Sequence, residues 1–362
     1  MSAVIPHDAS LQPTMHLQRG TPDGRTKRVW CVAPFPDNKR VVSASDDDFV
    51  VVWKFRTNEE EYCWSHKGAT TVAVSPDGTK VVSGGRDGDL HLWDADSGAH
   101  LSGPWMQHTD RVWSVGWSPD GNRIASCSAD GILIIWNAHP SSPSGEVICG
   151  HLQTGHGVVR AIAYFPQGGK VATSGNNPMV KIWDDNTGGL QRELNNETET
   201  VPSVAWTKDG SSVISGSIDG TVRVWNTLEQ DPVHKMSAHE DAVNYIAVSD
   251  HVFATASTDH IISLWDLKTY SLVGSLTCEF SSPEAPGNHD EVRCVAFTAD
   301  ENTVVAGTEG GVVYTFDIGE VISKIRGVDM KAVSPTNYDL QCIHVLGRIL
   351  AIVVCSPPFP TL

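Results

Sequence analysis

The chain has 362 residues, and its 43 acidic against 26 basic side chains give a formal net charge of −17. A field of this sign repels phosphate groups, so the composition disfavours both nucleic-acid binding and docking on anionic membranes. No apolar stretch reaches the roughly 18 residues that a membrane-spanning helix needs. The longest candidate, Ile343–Cys355, is interrupted by Gly347 and Arg348. The N-terminal residues also lack the apolar core of a secretory signal.

The eight cysteines are spread along the chain without a C-x-x-C pair. Several lie inside apolar segments that are typical of strands, among them Cys31, Cys127 and Cys294. Buried, unpaired thiols are characteristic of proteins in reducing compartments. We therefore expect a cytoplasmic location, with the nucleus as a second.

Seven segments of the chain share one pattern, which takes precedence over every other feature of the sequence. In each segment two short apolar runs are separated by a turn, and a third run ends in an aromatic residue. Successive aromatic residues are 40 to 51 positions apart. In chain order they are Trp53, Trp93, Trp136, Trp183, Trp225, Trp265 and Phe316.

The turns between these runs carry residues that favour tight reversals. The first turn reads Ser-Pro-Asp-Gly at 75–78 and 118–121, and the second reads Asp-Gly at 87–88, 130–131 and 219–220. A fourth short run follows each aromatic residue. Four short antiparallel strands in each such unit make one blade of a β-propeller. The sequence therefore predicts an all-β propeller of four-stranded antiparallel blades, with seven blades as the first choice.

The ends of the third runs identify a family. Trp93, Trp183 and Trp265 are each followed by aspartate, and with these endings the chain resembles the WD-repeat (β-transducin-like) family over residues 28 to 317. Trp136 and Trp225 are followed by asparagine, and the seventh segment has lost the tryptophan. The resemblance implies a propeller that holds other proteins together and has no catalytic chemistry of its own.

The resemblance also implies a recurring polar set: a histidine before the first strand, a serine or threonine on the second, an aspartate in the next turn, and the tryptophan. Buried histidine and aspartate must be hydrogen-bonded, and the tryptophan N–H adds a donor. Three sets are complete by position, namely His66/Ser83/Asp87/Trp93, His108/Ser126/Asp130/Trp136 and His239/Thr255/Asp259/Trp265. Because the set recurs at the blade spacing, we interpret it as structural and not as the single Ser-His-Asp triad of a hydrolase.

The remaining blades have incomplete sets. The first and fifth lack the histidine, while Asn177 in the fourth and Gly310 in the seventh replace the turn aspartate. We expect these blades to be locally weaker. His151 and His156 are two loop histidines five positions apart, and we interpret them as solvated or structural and not as metal ligands.

In the resembling family, partners commonly bind the face that is formed by the loop before the first strand and the turn before the third. Eight residues at exposed positions of this face are predicted partner contacts: Arg28, Trp30, Arg86, Arg111, Trp113, Arg160, Asn244 and Arg293. Arginine and tryptophan often dominate interface energies, and arginine binds carboxylate and phosphate in bidentate geometry. The predicted ligand is an acidic or phosphorylated protein segment across the first to fourth blades. The alternative is that these arginines only pack on their own blades.

The sequence predicts an N-terminal segment at 1–27, the propeller at 28–327 and a C-terminal tail at 328–362. Within the first, 14–19 is a candidate ring-closing strand beside the last blade. Residues 320–327 are expected to supply the fourth strand of the seventh blade. The apolar runs within 328–355 resemble a degenerate eighth repeat, so eight blades or an unclosed ring are alternatives.

The favoured function is a non-catalytic interaction scaffold. A G-protein β-like signalling subunit calls for an N-terminal heptad helix, and Pro6, Pro13 and Pro22 argue against one. A substrate receptor of a ubiquitin ligase would have to bind its adaptor on the propeller itself. An enzyme is disfavoured because the sequence holds no phosphate loop, no zinc-type Cys/His cluster and no unique catalytic set. We expect no cofactor, no metal, no nucleic acid and no membrane as partner.

Overall fold

The computed structural model describes residues 13, 15–18, 27–55, 57–138, 145–195, 199–227, 232–282 and 285–327. For 15–18, 279–282 and 285–289 it describes the backbone. The suggested eighth repeat within 328–355 lies outside the described residues.

The described chain forms seven four-stranded antiparallel sheets, and each is one blade of a propeller. A short strand, β1 (Met15–Gln18), precedes the first blade. The first three blades consist of β2 (Val29–Pro34), β3 (Arg40–Ser45), β4 (Phe49–Lys54) and β5 (Glu59–Ser65); β6 (Ala69–Val74), β7 (Lys80–Gly85), β8 (Asp89–Asp94) and β9 (His100–Met106); and β10 (Val112–Trp117), β11 (Arg123–Ser128), β12 (Ile132–Asn137) and β13 (Val147–Gln153).

The fourth to sixth blades repeat this order. They consist of β14 (Val159–Tyr164), β15 (Lys170–Gly175), β16 (Val180–Asp184) and β17 (Leu190–Leu194); β18 (Ser203–Trp206), β19 (Ser212–Gly216), β20 (Thr221–Asn226) and β21 (Pro232–Ser237); and β22 (Val243–Val248), β23 (Val252–Ser257), β24 (Ile261–Asp266) and β25 (Leu272–Thr277). A two-stranded hairpin follows, with β26 (Glu279–Ser282) and β27 (Ala285–His289). The seventh blade contains β28 (Val292–Phe297), β29 (Thr303–Thr308) and β30 (Val312–Asp317).

The second strand of a blade is buried on both faces, because each blade packs between two neighbours. In β3 every residue after Arg40 is buried, and β7 and β11 show the same pattern. Such strands carry continuous apolar or small residues, whereas the outer strand β21 alternates between half-buried and exposed residues. The prediction of an all-β, seven-bladed propeller is confirmed.

Apolar clusters between adjacent blades hold the ring together. Val42 of the first blade shares a core cluster with Val81 and Trp93 of the second. Val29 of the first blade lies in one cluster with Val305 of the seventh, so the first and last blades are neighbours. β1 completes the seventh blade by pairing antiparallel with β30, in the order β1-β30-β29-β28. An N-terminal strand thus joins a C-terminal blade.

The expectation of a C-terminal fourth strand at 320–327 was wrong, because Gly319–Ile325 is an α-helix, α1. β1 already occupies the edge of β30, so the C-terminal segment has no free strand to pair with. Its apolar residues recur at helical spacing, and Ile318 and Ile322 are buried against the core of the last two blades. Among the residues described, no helix has the length and apolar character that crossing a membrane requires.

Candidate functional site

A tryptophan–hydroxyl hydrogen bond recurs in six blades. The indole Nε1–H of the last aromatic residue of the third strand donates to a buried Ser or Thr hydroxyl on the second strand. The pairs are Trp53–Ser43 at 2.9 Å, Trp93–Ser83 at 2.9 Å, Trp136–Ser126 at 2.8 Å, Trp183–Thr173 at 2.8 Å, Trp225–Ser215 at 2.8 Å and Trp265–Thr255 at 3.0 Å. These bonds fix the register of the two strands deep in each blade.

In the third blade the hydroxyl also holds a histidine. His108 Nε2 lies 2.7 Å from Ser126 Oγ, and His108 Nδ1 lies 3.0 Å from Asp130 Oδ2. Burial alone would raise the pKa of Asp130, but the hydrogen bonds from His108 and the Thr109 N–H outweigh it and lower that pKa. The sixth blade has the same arrangement, with distances of 2.7 and 2.8 Å, in His239, Thr255 and Asp259.

The second blade departs from this pattern, and the assignment of Asp87 to its polar set was wrong. His66 Nδ1 lies 2.7 Å from Ser83 Oγ, but His66 Nε2 faces Asp89 Oδ1 at 3.2 Å. Asp87 is exposed in the turn. Gly85 explains the change, because a Cβ there would lie 2.4 Å from Asp89 Oδ1 and 2.5 Å from His66 Nε2. Only glycine leaves room for this pair.

The fourth blade holds a histidine without its acid. His156 Nε2 lies 3.1 Å from Thr173 Oγ1, while Asn177 directs its amide to the Gly155 carbonyl at 3.2 Å. Among the described residues, His156 Nδ1 has no hydrogen-bond partner and is buried. Burial, aided by the charge of Lys181, lowers the pKa of His156 to about 4. This histidine is therefore neutral at pH 7.

These polar sets give no sign of an active site. Ser83, Ser126 and Thr255 are fully buried, so a substrate cannot reach their hydroxyls. Each hydroxyl also accepts a tryptophan N–H, which a nucleophile would have to give up. Their geometry supports the structural interpretation.

A cluster of arginines and tryptophans forms on the predicted partner face. We define the arginine–tryptophan cluster as Arg28, Trp30, Arg111, Trp113 and Arg160. The two indoles meet edge to face with centroids 5.7 Å apart. The guanidinium carbon of Arg28 lies 4.5 Å from the Trp30 ring, that of Arg111 lies 5.5 and 4.7 Å from the two rings, and that of Arg160 lies 5.3 Å from Trp113. All four distances are typical of cation–π contacts.

Acidic side chains neutralise one side of this face. Arg28 forms an ion pair with Glu309. Arg86 Nη2 lies 2.5 Å from Asp46 Oδ1, which also accepts the Trp30 indole N–H at 2.7 Å. These ion pairs satisfy much of the charge of Arg28 and Arg86.

Two other predicted contact residues are engaged elsewhere. Arg293 pairs with Glu309 at 2.8 Å and with Glu291 at 2.6 Å. The amide nitrogen of Asn244 donates to a threonine hydroxyl at 3.0 Å and to a backbone carbonyl of the seventh blade at 2.8 Å. Arg293 and Asn244 therefore have less capacity left for a partner than the sequence suggested.

Arg111 and Arg160 differ from the other arginines of the face. Within the described part of the chain, neither forms a carboxylate ion pair, and Arg160 Nε donates only to the amide oxygen of Asn176 at 2.8 Å. Burial lowers the pKa of Arg111 and of Arg160, which means that water solvates both cations poorly. Both stay charged at neutral pH.

Comparison with known families decides the classification. The model of the WD domain, G-beta repeat (WD40), matches seven segments: residues 17–54, 60–94, 101–137, 147–184, 188–226, 230–266 and 280–317. The chain belongs to the WD40 family. Its first match begins within β1 and ends with β4, so the first WD40 repeat is shared between the seventh and first blades.

Relatives of the WD40 propeller include a small ribosomal subunit protein and guanine nucleotide-binding protein beta subunits. The chain is 29% identical over 315 residues to MST50-interacting protein 11 of Pyricularia oryzae. The match covers 83% of this chain and 97% of the relative. The chain is 26% identical to the small ribosomal subunit protein RACK1 of Neurospora crassa, with the same coverage. It is 28% identical to a guanine nucleotide-binding protein subunit beta of Zea mays, covering 86% and 75%. The WD40 chain is a propeller scaffold of the kind that serves protein interaction.

One polar centre of this WD40 propeller was not predicted. Glu301, in the turn between β28 and β29, is buried and accepts hydrogen bonds from His251 Nδ1 at 2.8 Å, from Arg326 at 3.0 Å and from the Asp250 N–H. Lys208 Nζ lies 3.5 Å away. Burial would raise the pKa of Glu301, but the hydrogen bonds and the cations outweigh it and lower that pKa to about 2. Glu301 thus connects three blades and the end of α1. It is not one of the polar residues that recur from repeat to repeat, so the sequence pattern did not identify it.

Proposed function

We propose that this WD40 propeller is a non-catalytic scaffold that binds an acidic or phosphorylated segment of a partner protein on the arginine–tryptophan cluster. The observation that carries the proposal is the placement of Arg111 and Arg160. Both are cations stacked on Trp113, and neither forms an ion pair with a described carboxylate, although Asp46 and Asp110 attract Arg111 from farther away.

The charge of the protein strengthens this assignment. In a chain of net charge −17, acidic residues are the common means of neutralising a cation, as Arg28, Arg86 and Arg293 illustrate. Two partly desolvated guanidinium groups without a carboxylate at ion-pair distance favour an anion from outside. A carboxylate or phosphate can accept two parallel N–H bonds from one guanidinium, and each charge-assisted bond contributes about 1.5–3 kcal/mol.

The composition of the arginine–tryptophan cluster is also typical of the centre of a protein interface. It combines tryptophan and arginine, the residue types that carry most binding energy in protein interfaces. The indoles hold the guanidinium groups in place before binding, so less side-chain entropy is lost when the partner arrives. Acidic residues at the rim, such as Asp46 and Glu309, repel segments whose carboxylate or phosphate groups lie at the wrong position.

Quantitative affinity capture tests the proposal. Partners retained by the wild type from cell extract are compared by mass spectrometry with those of Arg111→Gln/Arg160→Gln and of Arg293→Gln. The last variant is a control, because it removes a charge from the same face that Glu291 and Glu309 already neutralise. We expect partners with acidic or phosphorylated segments to be lost only from the double variant. Unchanged partners would place the binding site on another surface.

A G-protein β-like role is the second candidate, because several relatives are named guanine nucleotide-binding protein subunit beta. A direct binding assay with purified G-protein subunits tests this role. Binding that the Arg111→Gln/Arg160→Gln variant retains would separate it from the proposal above.

We also propose a cytoplasmic location, with the nucleus as a second. The support is that the six cysteines in the described ranges are free thiols. Burial raises the pKa of Cys31, Cys127, Cys278 and Cys294, so these thiols are inert. Fluorescence microscopy of a tagged chain tests the location.

A further inference from the structure

Three histidines and an aspartate meet on the second blade. His66 Nε2 lies 3.2 Å from Asp89 Oδ1, and His91 Nε2 lies 3.2 Å from Asp89 Oδ2. His91 Nδ1 lies 3.0 Å from His100 Nε2. Ligand atoms of His66, Asp89 and His91 all lie within 4.8 Å of one another. Ligand atoms around a tetrahedral Zn²⁺ are about 3.3 Å apart, and each histidine Nε2 lies at about this distance from one of the two Asp89 carboxylate oxygens.

His66 belongs to the recurring polar set, but Asp89, His91 and His100 are additions to it that the other blades lack. In the third blade His108 turns Nε2 inward to the serine, whereas His66 turns Nδ1 inward and leaves Nε2 for Asp89. The positions equivalent to Asp89 hold Ile132 in the third blade and Ile261 in the sixth. The other two complete sets fold without these extra ligands, so stability of a blade does not require them.

The hydrogen-bond pattern prepares both histidines as ligands. Ser83 Oγ can accept Nδ1–H from His66, and His100 Nε2 can accept Nδ1–H from His91, which leaves both Nε2 lone pairs free for a cation. Such outer partners commonly orient metal-binding imidazoles. Without a cation, the carboxylate of Asp89 only accepts, so both Nε2 atoms must carry protons. When a metal ion binds, each neutral imidazole holds its one proton on Nδ1, and its Nε2 lone pair faces the ion.

The local structure restrains the ligand side chains and leaves them accessible to an ion from solvent. Asp89 and His91 are two positions apart on β8, so their side chains lie on the same side of the strand. The His91 and His100 rings pack on Trp93, with centroids 5.6 and 4.8 Å away. His66 is buried, whereas the side chains of Asp89 and His91 are 16% and 17% exposed. An ion can therefore reach them from solvent.

We propose that His66, Asp89 and His91 form a binding site for one divalent transition-metal ion of the Zn²⁺ class, with Ser83 and His100 as orienting partners. Two imidazoles and a carboxylate supply three ligands, and water completes the coordination shell. The inference does not depend on the arginine–tryptophan cluster.

Metal titration of the full chain tests the site. Binding of Zn²⁺ is measured by isothermal titration calorimetry, and Co²⁺ is used to report coordination through its visible absorption. The test variant is His91→Ser, because the equivalent position of the sixth blade is Ser263 and a serine is compatible with the fold there. The control is His151→Asn, which removes an exposed histidine at a positive φ that asparagine tolerates.

We expect one equivalent of Zn²⁺ to bind to the wild type and to His151→Asn, with at least tenfold weaker binding to His91→Ser. Co²⁺ should give absorption bands typical of nitrogen and oxygen ligands in the first two proteins only. Absence of binding to the wild type would overturn the proposal. So would equal binding to His91→Ser, because it would assign the ion to other histidines. Circular dichroism confirms that each variant is folded.

Discussion

Trp30 and Trp113 touch edge to face although they belong to the first and third blades, which are not neighbours. The equivalent position of the intervening second blade holds Thr70, whose small side chain is buried and whose hydroxyl donates to backbone carbonyls. A large residue there would separate the indoles. The arginine–tryptophan cluster therefore depends on a small residue as well as on the large ones.

Trp113→Ala should weaken binding of an acidic partner segment although it removes no charge. Trp113 packs against both Arg111 and Arg160, and each cation–π contact contributes about 0.5–2 kcal/mol. We expect a loss of roughly 3- to 30-fold in affinity, which corresponds to one such contact, measured by fluorescence anisotropy with a labelled peptide from a captured partner. The control is Phe165→Ala, which removes an aromatic ring that contacts Lys170 outside the cluster. Equal effects of the two variants would contradict the role of Trp113.

Ser126→Ala should destabilise the propeller more than Ser43→Ala. Ser126 Oγ bonds both Trp136 and His108, whereas within the described residues Ser43 Oγ accepts only the Trp53 N–H. Each buried group left unsatisfied costs about 1–3 kcal/mol. Urea unfolding of the two variants measures the difference, which we expect to be at least about 1 kcal/mol. Equal losses would show that the histidine bond adds nothing.

Acidification should destabilise the fourth blade through His156. Its folded pKa is about 4, below the 6.5 of a free histidine, so between these values the unfolded chain binds a proton that the folded chain does not. Stability is therefore lost as pH falls from 6.5 towards 4, by on the order of 3 kcal/mol. Urea unfolding at pH 7 and pH 4.5 measures this loss. His156→Gln should show a smaller loss; the same pH dependence in both proteins would exclude His156 as its source.

Glu301→Gln should destabilise the last blades by about 2 kcal/mol, because the carboxylate loses its charge while its hydrogen-bond donors stay. Since the folded pKa of about 2 lies below the ordinary 4.5, this contribution is present above pH 4.5 and is lost as pH falls towards 2. Hydrogen exchange of α1 and urea unfolding report the change. Glu320→Gln, at an exposed position of α1, should leave both measurements unaltered. A similar effect of both variants would count against a special role for Glu301.

The sequence pattern predicted what the repeat itself determines. The six tryptophan–hydroxyl bonds, the histidine sets of the third and sixth blades and the seven blades all follow from residues at fixed offsets. Asp87 was misassigned because it was chosen by its distance along the chain from the other members of the set. That distance does not show that Gly85 leaves room for Asp89 beside His66. The C-terminal helix was misassigned because the strand edge that it would have needed is taken by β1, from the other end of the chain.

The sequence predicted which charged residues lie on the partner face, but not which of them form ion pairs with one another. Glu291 and Glu309 are at the same repeat positions as the predicted contacts, yet only the structure shows that they engage Arg293 and Arg28. Glu301 and the histidine group of the second blade depend on contacts between turns and strands that vary from blade to blade. For the histidine group, the signal in the sequence was that His66, His91 and His100 all belong to the second blade.

The dissociation constant of a captured acidic segment tests the central claim most directly. It is measured for the wild type, for Arg111→Gln/Arg160→Gln and for Arg293→Gln, with the peptide in phosphorylated and unphosphorylated form. We predict that the double variant weakens binding by at least about tenfold, corresponding to about 1.4 kcal/mol, while Arg293→Gln changes it by less than about threefold. Equal affinities of the wild type and the double variant would show that the arginine–tryptophan cluster is not the binding site.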